Sequence, residues 1–242
     1  MNGSRQHHAR QQFEPPQLER MRIAAESLIS CYCSLQASGG HLLSGLMEGG
    51  PPIQWEHYPA DDVIDKALGY QFFYHSHSPL DRDPSLEHGH FHLFARMEQH
   101  AAGVDQLAEQ RFLAALDAAP AKDASTVNLL CISVNETGVP IRLFTVNRWV
   151  TGGHLLSAEA TLKLLDSFSV DTEHHRAVAD WLKAMLVLFR SEIQRLLAQR
   201  DKTLRELALR QTPLLLENES AEILSSMSID IDRQIASLVD CA

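Results

Sequence analysis

Apolar residues recur at helical spacing over 15–37, where Leu18, Met21, Ile23, Ala24, Leu28, Ile29, Tyr32 and Leu35 are interspersed with charged and polar positions. Side chains three and four apart share one face of a helix, so this stretch predicts an amphipathic helix. Pro15 and Pro16 stand in its first turn, where a missing N–H is tolerated, and Gly39–Gly40 mark its end. Gly49, Gly50, Pro51 and Pro52 then signal a loop, and IQWEHYPADDV (53–63) reads as irregular, with Tyr58 driven extended by Pro59.

The pattern next turns to β-type chemistry. GYQFFYHSH and EHGHFHLF are rich in aromatics, and SPLDRDPS between them is turn-forming, which predicts two antiparallel strands around a loop. A helix is predicted over 97–118. TVNLLCISV and PIRLFTVNRW flank NETG, a strong hairpin signal. From Ser157 onward the spacing is helical again: Ser157 caps SAEATLKLLDSF, and one long helix is predicted over 173–210. The apolar stripe of that helix (Trp181, Leu182, Met185, Leu186, Leu188, Phe189, Ile193, Leu196, Leu197, Leu204 and Leu207) reads as core or as a dimer seam. Pro213 stops it, and a short helix follows over 229–239. The expected class is therefore α+β: a central antiparallel sheet of about four strands flanked by N-terminal and C-terminal helices. The expected organisation is a disordered tail over 1–14 and a single domain over 15–242.

Charge and composition narrow the function. Lys plus Arg is 21 and Asp plus Glu is 31, a net charge of -10, which argues against a nucleic-acid footprint. No apolar run is long enough for a membrane span, and the polar N-terminus shows no secretory signal, so the expectation is a cytoplasmic protein. Cys31, Cys33, Cys131 and Cys241 suit a reduced protein with buried thiols; Cys31 and Cys33, two apart in a helix, face differently and suit neither a disulfide nor a shared helical metal site.

The candidate chemistry lies in histidine. Seven of the 13 histidines fall between residues 57 and 100, far more than an even spread would place there. Neutral imidazole is the commonest protein ligand for zinc, iron and copper. By strand alternation His88, His90 and His92 share one face, and Gly89, Phe91 and Leu93 share the other. Likewise Phe73, His75 and His77 oppose Tyr70, Phe72 and Tyr74. If the strands pair, cross-strand neighbours stand about 5 Å apart and i, i+2 neighbours about 7 Å, close enough to share an ion. His75, His77, His88, His90 and His92 are thus the candidate metal ligands, with His90 and His92 joined by His75 or His77 as the preferred set. Glu87 and Asp83 are the nearest carboxylates, but strict alternation turns Glu87 away. His57, Tyr58, Asp61 and Asp62 sit in a loop able to close over the site. The plain alternatives are a pH-sensitive polar pocket without metal, or histidines serving as half-buried aromatics in a sheet.

Weaker signals remain. Arg142, Phe144, Val146 and Arg148 share a face by alternation, and two arginines there would suit a carboxylate or phosphate, although a strand-end arginine usually pairs with a local acid. Asn147, Arg148, Trp149 and Thr151 cluster where that strand ends. His57, Tyr74, Arg142, Asn147 and Arg148 are accordingly the candidate substrate-binding residues. No phosphate loop, nucleophile elbow or HExxH motif occurs.

The segments EHYPADDV, YHSHS, EHGHFHLF and IRLFTVNRWVTG resemble the core of an uncharacterised bacterial family, a domain of unknown function, over roughly residues 20–240. The resemblance implies that these segments meet in space, and supplies no activity. The leading expectation is a metal-binding protein, a metalloenzyme that uses a divalent metal ion (non-haem iron, zinc or copper) on a small-molecule substrate. Its rival is a non-catalytic accessory protein whose histidine face recognises a ligand or partner. A third reading has the histidines and arginines hold a small organic ligand. No nucleic acid and no membrane are expected as partners, and a homodimer would form through the long C-terminal helix.

Overall fold

The computed structural model describes residues 14–47, 53–77 and 87–239. The tail before Glu14, the loop at 49–52, the 78–86 connection with Asp83, and Cys241 lie outside the described residues.

Helix α1 (Pro15–Ala37) begins as expected with proline in its first turn, and it buries Met21, Ala24, Ala25 and Leu28. It ends where Gly39 takes φ +73°, with Gly39 N–H donating to the Gln36 carbonyl and Gly40 N–H to that of Leu35, at 3.0 and 2.9 Å. That left-handed turn closes the last carbonyls of a helix and suits a residue without Cβ.

Among the described residues the sheet has six strands, not about four. Strands β1 (Tyr58–Asp65), β2 (Tyr70–Ser76), β3 (Gly89–Arg96), β4 (Thr126–Val134), β5 (Pro140–Val146) and β6 (Ile223–Ser228) pair antiparallel in the order β1-β2-β3-β4-β5-β6. Two of these were not expected. The stretch read as irregular contains β1, whose register on β2 slips between Tyr58 and Val63, so its polar run does not alternate. The serine-rich β6 pairs with β5 at the other edge. The NETG hairpin forms between β4 and β5: the Asn135 side chain accepts from the N–H groups of Thr137 and Val139, and Gly138 has φ +79°.

The helices follow the expected segments with two breaks. The 97–118 stretch divides into α2 (Met97–His100), a short 3-10 turn and α3 (Gln106–Ala115), because Asp105 caps α3 by accepting from Leu107 and Ala108 N–H. After β5 come α4 (Arg148–Thr151) and α5 (Ala158–Asp166), the latter capped by Ser157 as expected. The long stretch 173–210 is two helices, α6 (Arg176–Leu188) and α7 (Arg190–Leu209), meeting at the buried Phe189. Helix α8 (Ile231–Val239) packs on α1. Among the described residues no helix is long and apolar enough to cross a membrane.

One sheet face forms the main core. Tyr70, Phe72, Tyr74, Phe91, Leu93, Ile132, Val134 and Leu143 are buried there with α1 and α6, and the Trp181 ring lies 5.6 Å from Phe91. The stripe on α6 and the first half of α7 is thereby used inside the fold. Covering one face with helices leaves the second face of β2–β5 for other chemistry.

Candidate metal centre

Register carries the histidines to one place. Directly paired residues of an antiparallel sheet share a face. His75 pairs with His90, His90 with Ser133, and Ser133 with Arg142; in the next row Phe73 pairs with His92, His92 with Cys131, and Cys131 with Phe144. All of these lie on the face opposite α1 and α6. His90 and His92 are 3% and 2% exposed; His75 and His77 are half-buried.

The ring nitrogens converge. Nε2 of His90 is 2.9 Å from Nε2 of His75 and 2.9 Å from Nε2 of His92. Its other nitrogen, Nδ1, is 3.1 Å from Nε2 of His77 and 3.1 Å from Oε1 of Glu87. Among the described residues two groups of side chains are therefore able to hold a metal ion: His75, His90 and His92, and His77, Glu87 and His90, with the ligand atoms of each within 4.8 Å of one another. A neutral imidazole has one N–H and one lone pair, both in the ring plane, so a single Nε2 cannot make two good hydrogen bonds to two other Nε2 atoms. A cation common to all three meets no such conflict. Burial, then the neighbouring His90, His75, His57 and His77, hold His92 well below the usual histidine range, so its ring is neutral.

Further groups brace these rings. The second oxygen of Glu87 pairs with the Arg142 guanidinium, whose Nε donates to Ser133 Oγ at 3.2 Å. His92 Nδ1 lies 3.2 Å from Asn128 Nδ2 and 3.3 Å from Cys131 Sγ. At the rim, His57 stacks on Phe73 with centroids 3.6 Å apart, and its Nδ1 is 2.8 Å from Asp62 Oδ1. The Trp55 ring stands 5.2 Å from His77 and is 60% exposed.

A family model described as Domain of unknown function (DUF6969) matches residues 22–229, a span that holds all six strands and every converging histidine. The chain belongs to the DUF6969 family. No curated protein and no solved structure matches it.

Within this DUF6969 fold the expected ligands divide. His75, His77, His90 and His92 come together; His88 does not join them. Its ring is stacked parallel to Tyr74 and its Nδ1 lies 2.5 Å from the Tyr74 hydroxyl, on the core side. The His88 N–H donates to the Val134 carbonyl, although Gly89 already pairs with Val134. One extra residue thus enters the strand at its start and alternation fails there. The same shift brings Glu87 onto the histidine face, against the expectation from strict alternation. Gly89 is required at this spot, because a Cβ would run into the His75 carbonyl and the Tyr74 ring.

Of the candidate substrate-binding residues, His57 lies at the rim, with its ring 6.4 Å from that of His75. Arg142 is at the site but grips Glu87. Tyr74 is fully buried on the opposite face. Asn147 caps α4, accepting from Arg148 N–H at 2.8 Å and donating to the Leu215 carbonyl at 3.0 Å, and Arg148 pairs with Glu217. The two arginines do not meet, because the chain turns into α4 at Arg148 and alternation stops. Asn128, Cys131 and Trp55 of the DUF6969 chain were not singled out from sequence. Asn128 and Cys131 would face opposite ways in a regular strand; Leu93 pairs with Leu130 and Phe94 with Asn128, so Leu129 is an extra residue that turns both toward His92. Trp55 precedes the strand and had no periodic signal.

Proposed function

We propose that this protein binds a divalent transition-metal ion through Nε2 of His75, His90 and His92 and acts as a metal-dependent enzyme on a small molecule. The observation that carries the reading is the double 2.9 Å approach of the three Nε2 atoms at His90. Metal–nitrogen bonds of about 2.0–2.1 Å allow nitrogens 2.9 Å apart to share one ion. Imidazole donors suit iron, zinc and copper. Three protein ligands then leave positions for water and substrate, where the ion supplies Lewis-acid or redox chemistry.

The chain's own residues set the ligands in place. Glu87 Oε1 accepts the Nδ1 proton of His90 and so leaves the Nε2 lone pair for the ion, with Arg142 fixing the carboxylate from behind. His92 Nδ1 donates to Cys131 sulfur or, with the amide turned over, to Asn128 oxygen. Trp55 and His57 flank the approach from solvent.

The test is metal analysis of tag-free protein, prepared anaerobically with iron(II) and aerobically with zinc(II), alongside His92→Ala. Stoichiometric metal in the parent and its loss from a variant with unchanged circular dichroism supports the reading. A parent that retains no metal after desalting sinks it. Open positions are checked on the cobalt(II) form, whose visible spectrum should shift when azide is added; a spectrum indifferent to azide argues for a closed, non-catalytic site.

A further inference from the structure

His90 belongs to both ligand groups. Its Nε2 faces His75 and His92, and its Nδ1 faces His77 and Glu87, at 2.9–3.1 Å in every case. The two nitrogens of one buried five-membered ring are therefore each completed by two further donors. We propose that the centre is dinuclear: a second divalent ion sits between His77 Nε2, Glu87 Oε1 and His90 Nδ1, and His90 bridges the two ions as imidazolate. The proposal rests on the metal reading of the His75, His90 and His92 group.

Three features carry it. First, a ring that needed only an outer partner on Nδ1 would need one acceptor, yet both a carboxylate oxygen and an imidazole nitrogen stand 3.1 Å from that atom. Second, the donor spacing matches the first group: donors 3.1 Å apart, like those 2.9 Å apart, are within reach of one ion with bonds of about 2.0–2.1 Å. Third, Glu87 is anchored. Arg142 holds its other oxygen, so Oε1 is presented to His90 instead of turning to solvent. Electrostatics permits the pair. By Coulomb's law the attraction of two dications to a unit negative charge midway between them is twice their mutual repulsion, and the bridging imidazolate is that charge. The proton balance is explicit. With one ion bound, His90 carries its proton on Nδ1 and gives it to Glu87 in a hydrogen bond; the second ion takes that position and the proton leaves to solvent.

The test uses the tag-free full chain, stripped of metal and titrated with copper(II), with native mass spectrometry for stoichiometry and electron paramagnetic resonance for coupling. We expect two ions per chain, an integrated resonance far below that of two isolated copper ions because bridged spins pair, and release of one additional proton with the second equivalent. His77→Ala should bind one ion and regain a full one-copper signal. One ion per chain in the parent, unchanged by His77→Ala but lost in His92→Ala, overturns the bridge and leaves the mononuclear reading standing. Two ions with the full signal of two isolated ions also overturn the bridge. No ion at all overturns both readings. Should His77→Ala lose its circular dichroism, Glu87→Gln takes its place, with at least a tenfold weaker second equivalent expected and an unaltered one counting against the proposal.

Discussion

Replacing Arg142 by Met probes the brace behind the histidines. Glu87 is 7% exposed and one of its oxygens pairs with Arg142, whose side chain is 23% exposed. For unit charges about 3 Å apart in an effective dielectric of about 20, the attraction is about 5–6 kcal/mol. Desolvation and side-chain ordering offset part of this, and removing one partner of a buried pair typically costs about 3–5 kcal/mol. The partial exposure of Arg142 places Arg142→Met at the lower end, about 3 kcal/mol. Glu87→Gln should cost less, about 1–2 kcal/mol, because the abandoned guanidinium reaches water while the abandoned carboxylate would not, and Gln still accepts from His90. The double variant should lie close to Glu87→Gln alone, giving a coupling close to the Arg142→Met cost itself, about 3 kcal/mol. Urea unfolding of the metal-stripped proteins measures all four corners of the cycle. If Arg142→Met destabilises no more than Glu87→Gln, or the two effects simply add, Arg142 does not compensate the buried Glu87 and the account of the brace is wrong. On the metal side, Arg142→Met should weaken binding by about 10–100-fold, as loss of an outer partner does.

Gly89→Ala places a methyl group against the His75 carbonyl and the Tyr74 ring, so it should destabilise by about 3 kcal/mol and lower metal occupancy; unchanged thermal melting and metal content would contradict the close approach of β2 and β3. Asp65 is pushed up by burial, but N–H donors from Leu68, Asp171 and Ala67 outweigh this and hold its carboxyl below the usual range. A depressed folded-state value means its contribution is fully present above the unfolded value and is lost as pH falls through the folded one. Asp65→Asn should therefore cost about 1–2 kcal/mol at neutral pH and progressively less toward pH 3 in urea titrations; a penalty independent of pH would show that the charge is immaterial. Trp181→Ala, at a side chain 1% exposed against Phe91, should cost about 3–5 kcal/mol by the same assay, and a loss under about 1 kcal/mol would mean α6 does not seal the core.

Much of the site was legible because β alternation is a local property. His75, His90 and His92 stand at even spacing within two aromatic strands, and those strands pair with His75 opposite His90, as their shared face required. Helix starts and the hairpin were legible for the same reason: the prolines in the first turn of α1, Ser157 before α5 and the NETG turn act through neighbouring backbone groups. Local pattern failed wherever a strand was irregular. His88 and Glu87 exchanged faces at the Gly89 shift, Asn128 joined Cys131 beside His92 through the extra residue at Leu129, and β1 hid behind the slip between Tyr58 and Val63.

By itself the order of residues determined the α+β class, the strands that carry imidazole, and the face most of those rings occupy, since period-two and period-3.6 patterns follow from backbone geometry alone. Only the tertiary structure decided which nitrogen meets which, that Glu87 and Arg142 stand behind His90, and that one ring serves two ligand groups. Those outcomes depend on cross-strand register and on single-residue bulges, which are set by how whole strands pack against the helices and leave no periodic trace in the chain.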